Sequence, residues 1–273
     1  MPANSSDASA NSLSRGSGYK YSEAFFRYIH EGAIRSAGRI VPLAVQNLGI
    51  HSVLDVGCGA GAWLSVYRQQ GVADIIGVDG VYVRKESLLV QPHAFQTQDI
   101  TQPFNLGRQF DLVQCLEVGE HILKATSKSL VDNLVRHGKL VLFSAANPGQ
   151  GGEHHINEQP YEFWRRLFNN HGYKPFDFIR PLIKDLTDVE SWYRYNVLLY
   201  AAPGAIPALP AVVANTRIPD GQPIANVSGR LYRVRTRAFS FLPVSCLTLI
   251  ALAKHRAVLT YRAVTRERTE KLE

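Results

Sequence analysis

The stretch that decides the fold is Ser52-Val-Leu-Asp55-Val-Gly57-Cys-Gly59-Ala-Gly61-Ala-Trp63. Its first five residues are typical of a short buried strand, and the glycines that follow permit a tight turn where that strand ends. Such a turn lets a ligand approach the backbone closely. The glycine pattern alone is a weak signal, because dinucleotide enzymes share it and because glycine turns also join packed elements that bind nothing.

Two acids further along the chain strengthen the case for a ligand site. Asp79 ends a second predicted strand, where a carboxylate can accept hydrogen bonds from ribose hydroxyls. Asp99 follows a third predicted strand, where an acid can bind the exocyclic amine of an adenine. Together with Asp55 these acids sit at the ends of strands on one rim of the predicted sheet. A glycine turn flanked by solvated acids is the alternative, and the shared rim favours the ligand site.

Strands and helices alternate on both sides of this stretch. Apolar residues recur at three- and four-residue steps in some segments and form short runs in others. We predict helices over residues 21–48, 63–70, 119–137 and 161–170, and strands over 51–56, 74–79, 94–96, 110–116, 139–144, 176–179 and 195–201. This alternation predicts an α/β, Rossmann-like fold, a mostly parallel sheet with helices on both faces.

Composition excludes several classes of protein. The chain has 273 residues, 45% hydrophobic and 19% charged, so it can bury a core and is not a disordered or fibrous protein. Its three cysteines, Cys58, Cys115 and Cys246, are too few and too widely spaced for a disulfide framework or a Cys-rich zinc module. No run of 18 apolar residues is present, and residues 1–18 lack the apolar core of a secretory signal. We therefore expect a cytoplasmic protein.

The positive charge is confined to one end of the chain. Residues 203–273 carry eleven Lys or Arg against four Asp or Glu, which accounts for the whole formal charge of +7. The neutral remainder argues against a cleft built for nucleic acid, because phosphate contacts dominate such binding. We divide the chain into a disordered segment (1–18), a main domain (19–202), a Pro-rich linker (203–229) and a basic, apolar helical extension (230–273).

The motifs around the glycines resemble, in order, those of class I S-adenosylmethionine-dependent methyltransferases. They are the 52–63 stretch, Val78-Asp79, Gln98-Asp99 and the run Phe110-Asp-Leu-Val-Gln-Cys-Leu-Glu117-Val-Gly-Glu120-His121, and the resemblance covers roughly residues 20–202. It implies a seven-stranded sheet with a reversed last hairpin and S-adenosylmethionine as the cofactor. The resemblance also implies cofactor-binding roles. The glycine loop of Gly57, Gly59 and Gly61, with Asp55 before it, would hold the methionine end of the cofactor. Asp79 would hold the ribose, and Asp99 and Ile100 would hold the adenine. Glu117 would border the cofactor pocket.

Two later stretches resemble a bacterial subgroup of these enzymes that acts on small molecules or glycans. They are Asn147-Pro-Gly-Gln-Gly-Gly-Glu-His-His-Ile-Asn-Glu-Gln159 and Trp192-Tyr-Arg-Tyr-Asn196. Methyl transfer to a hydroxyl requires removal of its proton, which a histidine can accept near neutral pH. We predict that His155 is this base and that Glu120 or His121 assists it. The expected reaction is methylation of a hydroxyl, or less favourably an amine, of a small-molecule or glycan-type acceptor.

Three alternatives remain open at this stage. Glu117, Glu120, His121 and a histidine of the 154–155 pair offer the mixed oxygen and nitrogen ligands of a Mg²⁺ or Mn²⁺ site, an arrangement that RNA 3′-end 2′-O-methyltransferases resemble. The same stretch also looks like that of many metal-free small-molecule methyltransferases, and we predict no metal. His121 can instead pack at the start of its helix, and His154 can be merely exposed. A cofactor-binding interaction protein without turnover is the third alternative.

The extension combines apolar and cationic residues. Ala238 to Ala253 contains no charged residue, and its length together with Pro243 makes it a poor membrane span. Cations flank it on both sides: Arg230, Arg233, Arg235 and Arg237 before it, and Lys254, Arg256, Arg262, Arg266 and Arg268 after it. This pattern is typical of attachment to an anionic membrane surface. The alternatives are contact with a second copy of the chain and packing on the main domain.

Overall fold

The computed structural model of the protein describes residues 23–270, so the segment predicted to be disordered, 1–18, lies outside the described residues. The side chains of Arg256, Arg262, Arg266 and Arg268 lie outside it as well. In chain order the elements are α1 (Glu23–Leu48), β1 (Ser52–Val56), α2 (Ala62–Gln69), β2 (Asp74–Asp79), β3 (Phe95–Thr97), β4 (Leu112–Leu116), α3 (Ser127–His137), β5 (Leu140–Ser144), α4 (Tyr161–Asn169), β6 (Lys174–Phe176), α5 (Arg180–Ile183), α6 (Ser191–Asn196), β7 (Leu198–Ala201), α7 (Ala211–Ala214), α8 (Arg230–Phe239) and α9 (Val244–Glu270).

The strands form one sheet of seven in the order β3-β2-β1-β4-β5-β7-β6. The first five pair in parallel, while β7 runs antiparallel to both β5 and β6. This confirms the Rossmann-like prediction, including the reversed last hairpin. The strand order changes direction between β1 and β4, and in open sheets of this kind ligands bind beyond the carboxyl ends of the strands at such a point.

Apolar side chains cover both faces of the sheet. Successive residues of a strand point to opposite faces, so Val53 enters one core with α1 and α2, and Leu54 enters the other with α3 and α4. The first core contains Trp63 and Tyr67, and the second is built around Trp164. All three side chains are buried. The two cores hold the carboxyl edge of the sheet as a rigid platform for the loops that follow β1, β2, β4 and β5.

Several predicted boundaries were wrong where long-range contacts override local periodicity. The helix predicted from residue 119 begins only at Ser127, because the backbone oxygen of Glu120 accepts hydrogen bonds from Ile156 N and Asn157 N instead of from its own helix. The strand predicted over 176–179 ends at Phe176, since Asp177 N donates to Thr216 O. The last strand begins at Leu198 rather than Tyr195, whose backbone oxygen accepts from Tyr161 and Arg180.

The Pro-rich segment 203–229 is not a free linker. Ile218 N donates to Pro175 O, and Phe176 forms a bridge with Arg217. Two buried arginines hold further backbone oxygens of the segment: Arg165 binds those of Pro219 and Gln222, and Arg180 binds that of Ala225. The segment therefore follows the surface of the sheet domain and fixes where α8 begins, while the domain boundaries themselves stay a prediction.

The extension is helical, as predicted, and α8 packs on the loop after β5. A Cβ atom added at Gly149 would lie 1.9 Å from the backbone oxygen of Thr236, so the loop and the helix touch backbone to backbone. Arg235 donates to the backbone oxygen of Gln150 at 3.2 Å. Among residues 23–270, no helix has the length and apolar character needed to cross a membrane.

Candidate active site

The three glycines of the first loop have different tasks. Gly57 and Gly61 adopt φ values of 81° and 82°, and a Cβ at either would overlap Val118 or Val90, at 2.5 and 2.9 Å respectively. Gly59, with φ 53°, has no described heavy atom within 4 Å of such a Cβ. The outer glycines therefore allow close packing, and the middle one leaves open space at the end of β1 where a ligand fits.

Asp79, the last residue of β2, contacts this loop through its carboxylate. Its carboxylate accepts hydrogen bonds from Gly59 N and Gly80 N, each at 2.7 Å, and from the Tyr82 hydroxyl. Burial raises the pKa of Asp79, and these hydrogen bonds oppose that rise by stabilising the charged form. Tyr82 as a residue is 75% exposed, although its hydroxyl is bound to the buried carboxylate.

Asp55 is a buried carboxylate with unused hydrogen-bonding capacity. It is 3% exposed, and its Oδ2 atom has no hydrogen-bond partner among the described residues. Burial raises its pKa to about 7, and the nearby charge of Asp79 acts in the same direction. An unpaired buried carboxylate oxygen is costly, so the site fits a ligand that carries a positive or hydrogen-donating group. The ammonium group of S-adenosylmethionine is such a group.

Asp99 and Ile100 follow β3, the outer strand at this end of the sheet. Asp99 is exposed, and its Oδ1 accepts from the backbone N and the hydroxyl of Thr101, at 3.0 and 2.7 Å. Ile100 is 8% exposed, and its backbone oxygen accepts from the amide of Asn133. The structure thus brings Asp79 and Asp99 to the same rim, since Gln98 N donates to Asp79 O at 2.7 Å.

Glu117 follows β4 and connects this rim to polar residues in the loop after β5 and at the end of α6. It has a positive φ of 56°, which is unusual for a non-glycine residue, and its backbone N is held by Ser144. Its carboxylate accepts hydrogen bonds from the amides of Gln150, at 2.7 Å, and Asn196, at 3.3 Å. Val118, the next residue, is the one that packs against Gly57. The backbone conformation at Glu117 therefore positions Val118 against the glycine loop and the Glu117 carboxylate against Gln150 and Asn196.

Glu120, His121 and His155 come together, as the sequence predicted for a catalytic cluster. One ligand-type atom from each lies within 4.8 Å of the others, and the two histidine rings are 4.9 Å apart and perpendicular. Glu120 is fully buried, and both its carboxylate oxygens lack a hydrogen-bond partner among the described residues. Burial and the neighbouring Glu117 raise the pKa of Glu120, which favours its protonated form. Although His121 keeps an exposed edge, the protein atoms around its ring desolvate it and lower its pKa, and a charge on His155 would add to this effect.

Glu158 is a functional candidate that sequence reasoning missed. Its Oε1 atom is 2.9 Å from His155 Nδ1, and both side chains are about nine-tenths buried. The same carboxylate accepts from Gly149 N at 2.7 Å and Gly151 N at 2.8 Å. The loop after β5 therefore closes around Glu158 and fixes the orientation of the His155 ring. The three-residue step from His155 to Glu158 was visible in the sequence and could have indicated the pair.

Comparisons with known proteins found one family match and solved structures with a similar fold. A family model described as a methyltransferase domain matches residues 25–177. The sugar N-methyltransferase KedS8 from Streptoalloteichus shares the fold at 18% identity, with a TM-score of 0.51, over 74% of this chain and 98% of the other. The methyltransferase domain of bacterial CtHen1 has 16% identity and a TM-score of 0.48, over 62% of this chain and 98% of the other. No curated protein matches the sequence significantly.

The match covers more than half of the chain and contains the glycine loop, the acids at the strand ends and the cluster after β4. The order of the seven strands, the open space at Gly59 and the unpaired oxygen of the buried Asp55 fit S-adenosylmethionine as the cofactor. The chain belongs to the methyltransferase domain family and is a class I S-adenosylmethionine-dependent methyltransferase.

Proposed function

We propose that this enzyme methylates a hydroxyl group of a small-molecule or glycan-type acceptor, with His155 as the general base. The observation that carries the proposal is the buried His155–Glu158 pair, 2.9 Å between Nδ1 and Oε1. A hydroxyl needs a base to become a nucleophile, whereas a neutral amine already has a free electron pair. A histidine that is oriented by a carboxylate through its other ring nitrogen is a common form of such a base.

In the proposed mechanism the protein binds, orients and removes one proton. Asp79 would hold the ribose, Asp99 and Ile100 the adenine, and Asp55 with the glycine loop the methionine end of the cofactor, which would supply an electrophilic methyl group on a sulfonium. The Glu158 carboxylate accepts a hydrogen bond from the Nδ1–H of His155, and in this tautomer Nε2 carries a free electron pair. The acceptor oxygen would form its new bond to the methyl carbon as the bond from that carbon to the sulfonium sulfur breaks, so that S-adenosylhomocysteine leaves and the hydroxyl proton passes to Nε2. Glu120 and His121 pack beside the ring and limit its movement.

The decisive experiment replaces the base and keeps the rest of the site. His155→Ala should lower kcat by ~10²–10⁴-fold, while the affinity for S-adenosylhomocysteine stays within about twofold. His171→Ala is a matched control, because His171 pairs with Asp132 at 2.9 Å on the surface away from the site. Near-normal turnover of His155→Ala across pH 6–9 would remove the base role from His155.

A second candidate function, metal-dependent RNA 2′-O-methylation, is favoured by one observation. Glu120, His121 and His155 offer ligand atoms within 4.8 Å of one another, and the Glu120 oxygens are unpaired among the described residues. A divalent cation there would bind the acceptor oxygen and lower its pKa. Exhaustive chelation separates the candidates. Full activity after chelation supports the histidine base, and activity restored only by Mg²⁺ or Mn²⁺ supports the metal.

We also infer an association role for the extension, residues 230–273. Its apolar side chains Leu231, Val234, Phe241 and Leu249 are 88, 68, 80 and 66% exposed. Exposed cations lie beside them on the same helices: Arg230, Arg233, Arg237 and Lys254. This combination supports contact with an anionic membrane surface, and a second copy of the chain is the alternative.

Vesicle co-sedimentation tests this association. The protein should sediment with phosphatidylserine vesicles but not with phosphatidylcholine vesicles, and Phe241→Asp should abolish the effect. Leu182→Asp, at an exposed apolar position of α5, is the control. A change of molar mass in solution with Phe241→Asp, without vesicle binding by the wild type, would identify the second copy instead. No change in either property would leave the extension without an association role.

A further inference from the structure

A polar cleft lies between the loop after β5, the start of α4, the end of α6 and the helix α8. Its empty space, which includes space open to solvent, is about 300 Å³. Its walls include Gln150, Tyr161, Tyr195, Asn196, Asn226 and Tyr232, and every described residue that lines it is uncharged. We propose that this cleft binds an uncharged sugar ring as the methyl acceptor, an inference that rests on the proposed function and narrows its substrate class.

The walls of the cleft carry amide groups that can bind the hydroxyls of a sugar and aromatic rings that can contact its C–H face. Amide groups donate and accept hydrogen bonds at once, as sugar hydroxyls do, and four amide side chains contribute to the cleft: Asn147, Gln150, Asn196 and Asn226. The Tyr195 and Tyr232 rings meet edge to face with centroids 4.9 Å apart. The electron-rich face of an aromatic ring attracts the slightly positive C–H face of a sugar.

Two cations near the cleft, Arg180 and Arg235, make bonds to protein groups. The Arg180 guanidinium pairs with both oxygens of Asp177 and with the backbone oxygens of Tyr195 and Ala225. Arg235 lies 4.6 Å from the centre of the Tyr232 ring and donates to Gln150 O. Neither side chain is part of the cleft wall, so the cleft itself offers no cation to a phosphate or a carboxylate.

The inner wall of the cleft connects directly to the cofactor side. Gln150 and Asn196 bond to each other at 2.7 Å, and both donate to the Glu117 carboxylate. Glu117 precedes Val118, which packs on Gly57 of the cofactor loop. One acidic side chain therefore separates the cleft from the place where the methyl group would be presented. His155 lies on the same loop as Gln150, and Glu158 binds the backbone on both sides of Gln150.

The outer wall is supplied by α8, so the extension forms part of the acceptor site. Tyr232 and Thr236 from α8 line the cleft, and Gly149 lets this helix approach the loop closely. This gives the extension a role in substrate binding that is separate from any membrane or partner contact of its exposed face.

Binding can be measured without turnover. The full chain loaded with S-adenosylhomocysteine is examined by saturation-transfer NMR with the methyl glycosides of glucose, galactose and rhamnose as neutral probes, and with glucuronate as the anionic probe. At least one neutral glycoside should receive saturation on its ring C–H protons, and glucuronate should receive at least fivefold less. Absence of signal from all three neutral glycosides, or equal signal from glucuronate, would overturn the proposal.

Variants place the signal in the cleft. Tyr232→Leu and Asn226→Ala should each reduce glycoside affinity at least fivefold, while Leu231→Ala, the neighbouring exposed position on α8, should not change it. An unchanged titration with S-adenosylhomocysteine shows that each variant is folded. Glycoside binding without methyl transfer would overturn the proposed function alone. Methyl transfer that is insensitive to both cleft variants would overturn this inference alone.

Discussion

The two halves of the active site are built in different ways. The cofactor half, at the ends of β1, β2 and β3, is held by the register of neighbouring strands and by short bonds such as that from Gly59 N to Asp79. The acceptor half, beyond β4 and β5, depends on contacts between distant segments, as between Glu117 and Asn196 or between Gln150 and Arg235. On the proposed function we expect the reaction type to depend on the rigid half, and acceptor choice to depend on the half assembled from loops and α8. The two halves should therefore fail separately.

The largest expected effect comes from Gly149→Ala, which breaks only the acceptor half. The new Cβ would lie 1.9 Å from Thr236 O in a backbone conformation with φ 80°, so α8 and the loop must separate. The shift also disturbs the hydrogen bond from Gly149 N to Glu158, and displacements of about 1 Å at a catalytic group can cost ~10²-fold. We expect kcat/KM for the acceptor to fall ~100-fold or more, with cofactor affinity unchanged.

Gly204→Ala is the control for this variant, because nothing lies within 4 Å of a Cβ at that position. Steady-state kinetics and calorimetry with S-adenosylhomocysteine give the two readouts. If Gly149→Ala keeps normal kinetics, α8 is not part of the acceptor half. Loss of both activity and cofactor affinity in a folded protein would show that the halves are coupled.

The next expected effect is a pH dependence of cofactor affinity that arises from Asp55. Burial raises the pKa of Asp55 to about 7 in the free protein, whereas the ammonium group of the bound cofactor should keep this carboxylate ionised. Cofactor affinity should therefore be constant above pH 8 and fall by up to ~tenfold per pH unit below pH 7, since binding must then release a proton. Calorimetry in buffers of different ionisation enthalpy measures the proton released.

Asp55→Asn isolates this residue from Asp79, whose pKa is also raised by burial. The variant should bind the cofactor more weakly at pH 8 but with a flatter dependence between pH 5 and 8. Because the folded pKa of Asp55 lies above its unfolded value, its stabilising contribution is complete below about pH 4 and is lost as the pH rises through 7. Asp55→Asn should therefore gain stability relative to the wild type at pH 8. Parallel stability curves for the two proteins would contradict the assignment.

The smallest effect is expected for Asp99→Asn. Asp99 is exposed and already bonded to Thr101, so its replacement removes at most one hydrogen bond to the adenine, worth ~0.5–1.5 kcal/mol, or about two- to tenfold in affinity. Asp111→Asn is the matched control, since Asp111 caps His51 N and Ser52 N before β1, away from the carboxyl edge. It should lower thermal stability and leave cofactor affinity unchanged. A loss above ~100-fold for Asp99→Asn would move the main recognition from Asp79 to Asp99.

The same contrast explains how much the sequence predicts. The strand Asp74–Asp79 was predicted with its observed ends, because glycines and acids mark the boundaries of the parallel strands locally. Glu158 and Tyr232 were missed, since their roles arise from contacts with His155 and Tyr195 that no local periodicity records. The segment 203–229 was predicted as a linker from its prolines. Arg165 and Arg180, far away in sequence, hold it on the domain.

The most direct test of the account is a parallel titration of S-adenosylhomocysteine into the wild type, Asp79→Ala and His155→Ala. The wild type should bind, and Asp79→Ala should bind ~10–150-fold more weakly, which corresponds to ~1.5–3 kcal/mol for hydrogen bonds to a charged group. His155→Ala should bind like the wild type while its turnover collapses. Unchanged affinity of a folded Asp79→Ala variant, or equal losses of affinity in both variants, would contradict the division of the site into a cofactor half and an acceptor half.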